Sequence, residues 1–154
     1  MSQTSAEQVS RQGTSQVSHM EAALPTYRRT FPGLPEEVRK ARRFASQCLA
    51  GSATAEQVCL MVSELATNAL RHSRSGHRNG HFTITITVGA DHARVEVADQ
   101  GSHTGSVPHL APSSAEDESS RGLAIVEALA DEWGTQNPST VWFEVNWSPV
   151  RSFA

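Results

Sequence analysis

Only one lysine, Lys40, stands in this chain, and no G-x-x-x-x-G-K-[ST] stretch surrounds it. A P-loop sets that lysine against its phosphates, so any nucleotide site here has to work by other means. Cysteine is scarce too: Cys48 and Cys59 are the only two. Both fall in expected helices at no metal-ligand spacing, which favours packed reduced thiols over a disulfide. The apolar runs are far too short to span a bilayer, so no membrane role is expected. The N-terminus lacks the charged-then-apolar layout of a signal peptide, and a cytoplasmic protein is expected. The net charge of −3 lacks the basic excess of a direct nucleic-acid binder. What remains is a chain of 154 residues, 38% hydrophobic, enough for one domain with its own core. Residues 1–24 are Ser-, Gln- and Thr-rich and read as a disordered tail. Residues 25–148 read as the domain and 149–154 as a short loose tail.

The most informative stretch runs from Val58 to Ser73 and reads as a helix. Val58, Met61, Val62, Leu65 and Ala69 recur at three- and four-residue steps, giving one apolar stripe. Glu64 and Asn68 sit four apart on a neighbouring face, a carboxylate one turn from a carboxamide. Asn is a poor mid-helix residue because its side chain competes for backbone hydrogen bonds. A solvated glutamate beside a tolerated asparagine is the plain alternative.

Around that helix the elements follow from pattern. Tyr27 to Phe31 suits a short edge strand, and Pro32-Gly33-Leu34-Pro35 a turn. A helix from Pro35 carries Val38, Ala41, Phe44, Ala45, Cys48 and Leu49 on one side, with Glu36 and Glu37 in its first turn. Thr54 is the expected N-cap of the next helix, with Gln57 as capping-box partner. The run from Arg71 to His81 is locally basic and reads as a solvated loop or an anion contact. A metal site built from His72, His77 and His81 is the less favoured reading.

His81 to Val88 alternates cleanly and reads as a strand, and His92 to Asp99 as its hairpin partner. Ala93, Val95, Val97 and Asp99 share one face. A carboxylate is thereby delivered to the end of the core, where it needs a donor. A ligand's amino group is one candidate; backbone amides of its own turn are the other. Gly101 to Ser120 has no apolar period and reads as a lid of about 20 residues. Arg121-Gly122-Leu123 then opens a helix whose apolar face runs to Trp133, with Gly134 closing it. That helix start is a natural seat for phosphate oxygens. Val141 to Trp147 alternates as a last strand.

In order, these pieces are E-x-x-x-N on a helix, D-x-G at a strand end, a long loop, R-G-L at a helix start and a strand opening T-V-W-F. The set resembles the GHKL, or Bergerat-fold, ATP-binding superfamily. The chain is most similar to its small bacterial anti-sigma-factor serine/threonine kinases, over about residues 26–147. F-P-G-L-P-E-E-V-R-K-A-R-R-F, V-S-E-L-A-T-N-A-L-R-H-S, V-E-V-A-D-Q-G-S and R-G-L-A-I-V-E-A-L-A-D-E-W-G carry the likeness. It implies an α/β (α+β) two-layer sandwich with a mixed, mainly antiparallel sheet and three helices on one face. It implies ATP and Mg²⁺ as cofactors, and a kinase that binds a sigma factor and phosphorylates an antagonist protein. A homodimer is also implied.

By the same resemblance Asn68 is the Mg²⁺ ligand, Glu64 the general base and Asp99 the acceptor for the adenine amino group. Gly101 lets backbone pass close to the base. Arg121, Gly122 and Leu123 hold phosphates at the far hinge of the lid, and Thr140 supports the adenine contact. Two positions depart from the family pattern: Ser120 and His103 stand where glycines are often found. Both put side chains where backbone meets nucleotide. An ATP-binding module without transfer, and a partner-binding domain without nucleotide, are the rival readings.

Overall fold

The computed structural model describes residues 24–101 and 118–148, with side chains of the last helix described from Gly122 onward. Residues 1–23 and 149–154 of the expected tails, the body of the expected lid, His103 and the side chains of Ser120 and Arg121 lie outside the described residues. Five strands and three helices are present among those described: β1 (Thr26–Pro32), α1 (Pro35–Cys48), α2 (Ala55–His72), β2 (His81–Val88), β3 (His92–Ala98), α3 (Glu118–Leu129), β4 (Glu132–Gln136) and β5 (Thr140–Asn146). A one-turn 3-10 helix, Arg74–Gly76, follows α2.

The strands form one sheet in the order β1-β2-β3-β5-β4. Every described pairing is antiparallel, so the parallel component expected of a mixed sheet is not seen among them. Alternation sets the two faces. Phe82, Ile84 and Ile86 on β2, Ala93, Val95 and Val97 on β3, and Val141, Phe143 and Val145 on β5 point into the core. The threonines between them on β2 are part-exposed on the other face. The helices cover the apolar face, which gives the expected two-layer sandwich. α2 lies between α1 and α3 and buries Val58, Met61, Val62, Leu65, Ala66 and Ala69. Full burial of each valine, leucine or methionine among them contributes about 1.5–3 kcal/mol.

At the β1 end, Phe31 and Phe82 stack with centroids 5.3 Å apart, and Phe44 of α1 meets Phe31 edge-on at 5.9 Å. The single lysine has a local task there: Lys40 Nζ donates to Glu37 Oε1 at 2.7 Å, pairing a buried carboxylate one turn back on α1.

Three expectations about local structure are corrected. Thr54 is at the N-cap of α2, but its side chain makes no capping hydrogen bond; its hydroxyl pairs instead with Ser52 Oγ at 3.0 Å. The last helix begins at Glu118 and ends at Leu129, so Arg121-Gly122 falls within its first turns rather than at its first residue. Trp133 and Gly134 belong to β4, not to that helix. β4 pairs with β5, Gly134 opposite Trp142, and a Cβ on Gly134 would stand 3.1 Å from the Trp142 indole. This glycine admits a ring and is not a helix stop. The Trp133 indole N–H donates to Glu127, tying β4 to α3.

Candidate functional site

α2 supplies Glu64 and Asn68 at the edge of its buried stripe, both half-buried. Among the described residues, no hydrogen bond or ion pair engages either side chain. The carboxamide has one close neighbour. A Cβ placed on Gly122 of α3 would stand 2.8 Å from Asn68 Nδ2 and 3.3 Å from Oδ1. Any larger residue at 122 would push that carboxamide aside. Two motifs more than fifty positions apart in the sequence are thus brought into contact, and the glycine in R-G-L makes room for the asparagine. Leu123 turns the other way: it is 2% exposed and belongs to the core, and it lies past the first turn of α3, so the structure does not bring it to a ligand.

At the other end of the site, β3 runs out into the turn Asp99-Gln100-Gly101. The Asp99 N–H donates to the Ser139 carbonyl at 2.8 Å, just before β5. Asp99 Oδ1 accepts from the Gly101 N–H at 2.7 Å. The carboxylate therefore caps its own turn with one oxygen, as the plainer reading expected. Its other oxygen keeps acceptor capacity for a ligand. Burial pushes the Asp99 pKa above the ordinary aspartate range, and the Gly101 hydrogen bond pulls partly back. A desolvated carboxylate in that state favours a further donor. Gly101 has φ 84°, a left-handed conformation that strains any residue with a Cβ; the requirement for glycine arises first from this backbone angle. Thr140 pairs with Ala98 across β3 and β5. The alternation of β5 puts it with Trp142 and Glu144, away from buried Val141 and Phe143. Among the described residues, the hydrogen bond that holds Asp99 from this side is the one its N–H gives the Ser139 carbonyl, one residue before β5.

By charge, the basic run from Arg71 to His81 reads as a solvated loop or an anion contact. Its arginines and histidines are exposed, but Ser73 and Ser75 within it are buried. The Gln100 N–H donates to Ser75 Oγ at 3.0 Å, and the Arg74 N–H donates to the Gly101 carbonyl at 2.9 Å. The His81 N–H donates to Gln100 Oε1 at 2.9 Å. The loop is thus the mount of the Asp99 turn. The only sequence signal for this was a pair of serines spaced through a cationic stretch.

A helix carrying E-x-x-x-N against the glycine of R-G-L, over an antiparallel sheet ending in D-x-G, defines a class. The chain belongs to the histidine kinase-like ATPase domain family, whose profile matches residues 31–142, and so to the GHKL superfamily. Among curated proteins it is similar to "Serine-protein kinase RsbW" of Bacillus subtilis (strain 168), with 34% identity over 95 residues. That match covers 56% of this chain and 59% of the relative, so the chain spans somewhat over half the length of the protein it matches.

Proposed function

We propose that this protein binds Mg²⁺-ATP between Asn68 and Asp99 and transfers the terminal phosphoryl group to a serine or threonine of a partner protein. The observation that carries the reading is the meeting of Asn68 with Gly122, the asparagine of one motif and the glycine of another in contact. The donor set fits the cofactors. A carboxamide oxygen is a hard ligand suited to Mg²⁺, and a half-buried carboxylate with one oxygen unengaged among the described residues suits an exocyclic amine. When bound, Mg²⁺ offsets phosphate charge and orients the phosphates. Asn68 holds it through Oδ1. Asp99 accepts from the 6-amino group of adenine and opposes the 6-oxo acceptor of guanine. Glu64, one helical turn from Asn68, takes the proton from the attacking hydroxyl of the partner. Arg121 and the amides at the start of α3 hold the phosphates.

The name of the Bacillus subtilis relative, a serine-protein kinase, supports a protein hydroxyl as acceptor. Within this reading the protein is a cytoplasmic homodimeric switch that binds a sigma factor and phosphorylates its antagonist. The test is a transfer assay with γ-radiolabelled ATP, run against candidate antagonist proteins encoded nearby, beside a binding isotherm. Mg²⁺-dependent binding with labelling of a partner is the expected result. Binding of ATP without labelling favours a module that uses ATP as a structural ligand, a reading the departures at Ser120 and His103 favour. The absence of ATP binding contradicts both.

A further inference from the structure

Ser75 is fully buried in the short turn after α2 and is held there from two sides. A Cβ on Gly33 would stand 1.6 Å from the Ser75 carbonyl oxygen, and one on Gly80 would stand 2.0 Å from the same atom. The β1–α1 turn and the start of β2 therefore close directly onto the Ser75 backbone, and the Gly33 N–H donates to the Gly80 carbonyl at 2.8 Å across it. From this fixed point a hydrogen-bond ladder runs both ways. Ser73 Oγ donates to the Ala69 carbonyl at 2.5 Å, the residue next to Asn68. The Ser75 N–H donates to Ser73 Oγ at 3.0 Å. The Gln100 N–H then donates to Ser75 Oγ, next to Asp99. Two buried hydroxyls thus connect the helix that presents Asn68 to the turn that presents Asp99.

A hydroxyl buried this deeply costs stability unless it is used, and alanine would fill nearly the same space. We propose that Ser75 is a positioning residue for base selection: it touches no nucleotide, but it fixes the Asp99 turn against α2 so that the carboxylate meets the amino group of the base. This rests on the reading of Asp99 as the adenine acceptor. Without the Ser75 hydroxyl the Gln100 N–H loses its partner, the turn drifts, and the contact of Asp99 with the base is what suffers. The Asn68 end, held by α2 and α3, is left in place.

The probe is a pair of nucleotides that differ only in the 6-amino group: ATP and purine riboside triphosphate, each titrated with Mg²⁺ into wild-type protein, Ser75→Ala and Asp99→Asn. Wild type should prefer ATP. Ser75→Ala should lose about ten-fold of that preference, the effect of one hydrogen bond, while its affinity for the purine analogue stays within about two-fold of wild type. A purely structural serine would lower both affinities together and leave the ratio unchanged; that result overturns the proposal. A wild type that binds the two nucleotides equally removes the base-acceptor reading and the proposal with it, and this failure shows in the unmutated protein. Hydrogen exchange at the Gln100 amide of the nucleotide-free wild type is a second arm, independent of how the variant folds. Protection matching the amides of β3 is expected. Exchange at the rate of an open loop overturns the ladder.

Discussion

The two ends of the proposed nucleotide site are built differently. The Asp99 end is closed by the protein's own hydrogen bonds. Its three-residue turn engages Ser139, Ser75, Arg74 and His81 and closes on itself through Gly101 and Asp99 Oδ1. The Asn68 end has only steric definition among the described residues: a carboxamide with Gly122 against it and a glutamate one turn back, neither hydrogen-bonded there. Pre-built sites lose little entropy on binding and discriminate between similar ligands. Sites completed by the ligand have their groups free to take up a metal and phosphates. On the proposed reading, base selection belongs to one end and charge handling and transfer to the other, and variants at the two ends should separate accordingly.

The largest separation is expected at Glu64. Glu64→Gln should lower phosphoryl transfer by ~10²–10⁴-fold, the usual consequence of losing a general base, with nucleotide affinity nearly unchanged. Single-turnover transfer and a binding isotherm on the same preparation check it. An equal loss in both would move Glu64 from transfer to binding.

Asp99→Asn comes next. It should weaken ATP binding by about 10–100-fold, the range of a hydrogen bond to a charged group, and abolish the preference for adenine over guanine. The pH dependence carries its own sign. Burial raises the Asp99 pKa, so between the unfolded value and the raised folded value the native state binds the extra proton. Stability of the nucleotide-free protein therefore falls as pH rises through that window. Adenine binding needs the charged acceptor, so ATP affinity rises with pH through the same window. Thermal melts and titrations across it should show opposite slopes for wild type, and Asp99→Asn should flatten both.

Gly122→Ala is the smallest of the three and the most diagnostic of the contrast. Within a helix, alanine is favoured over glycine by about 0.5–1 kcal/mol, so the melting temperature should hold or rise. The new methyl meets Asn68 and should weaken Mg²⁺-nucleotide binding by roughly ten-fold, an expected loss of about one hydrogen bond. Loss of stability together with affinity would mean that the glycine serves the α2–α3 packing alone.

The sequence showed most where local period and burial agree. The stripe from Val58 to Ala69 and the alternation of β2, β3 and β5 appear in the fold as read. Asp99 is half-buried as the parity of β3 predicts, although the strand itself stops at Ala98 and the turn after it sets the carboxylate. β4 was missed because Leu129, Ala130 and Trp133 continue the helical spacing, while the pairing that makes Glu132–Gln136 a strand lies with β5, out of local view. The mount of the Asp99 turn was missed for a similar reason. Ser75 is buried by Gly33 and Gly80 and bonded by Gln100, all remote or across a turn, and its neighbours Arg74 and His77 announce only charge. The resemblance implies that Asn68 and Gly122 serve one nucleotide, but not that they touch, and no periodicity in the chain contains their contact.

The central claim is that Asn68 and Asp99 are the two poles of one Mg²⁺-ATP site. Titration of Asn68→Ala with ATP, in the presence and absence of Mg²⁺, tests it most directly. The account predicts that wild type binds ATP more tightly with Mg²⁺, that Asn68→Ala loses this gain and all transfer, and that it keeps the preference for adenine set by Asp99. An Asn68→Ala protein that binds Mg²⁺-ATP as tightly as wild type would contradict the account, and Glu64 and Asn68 would then be ordinary helix surface.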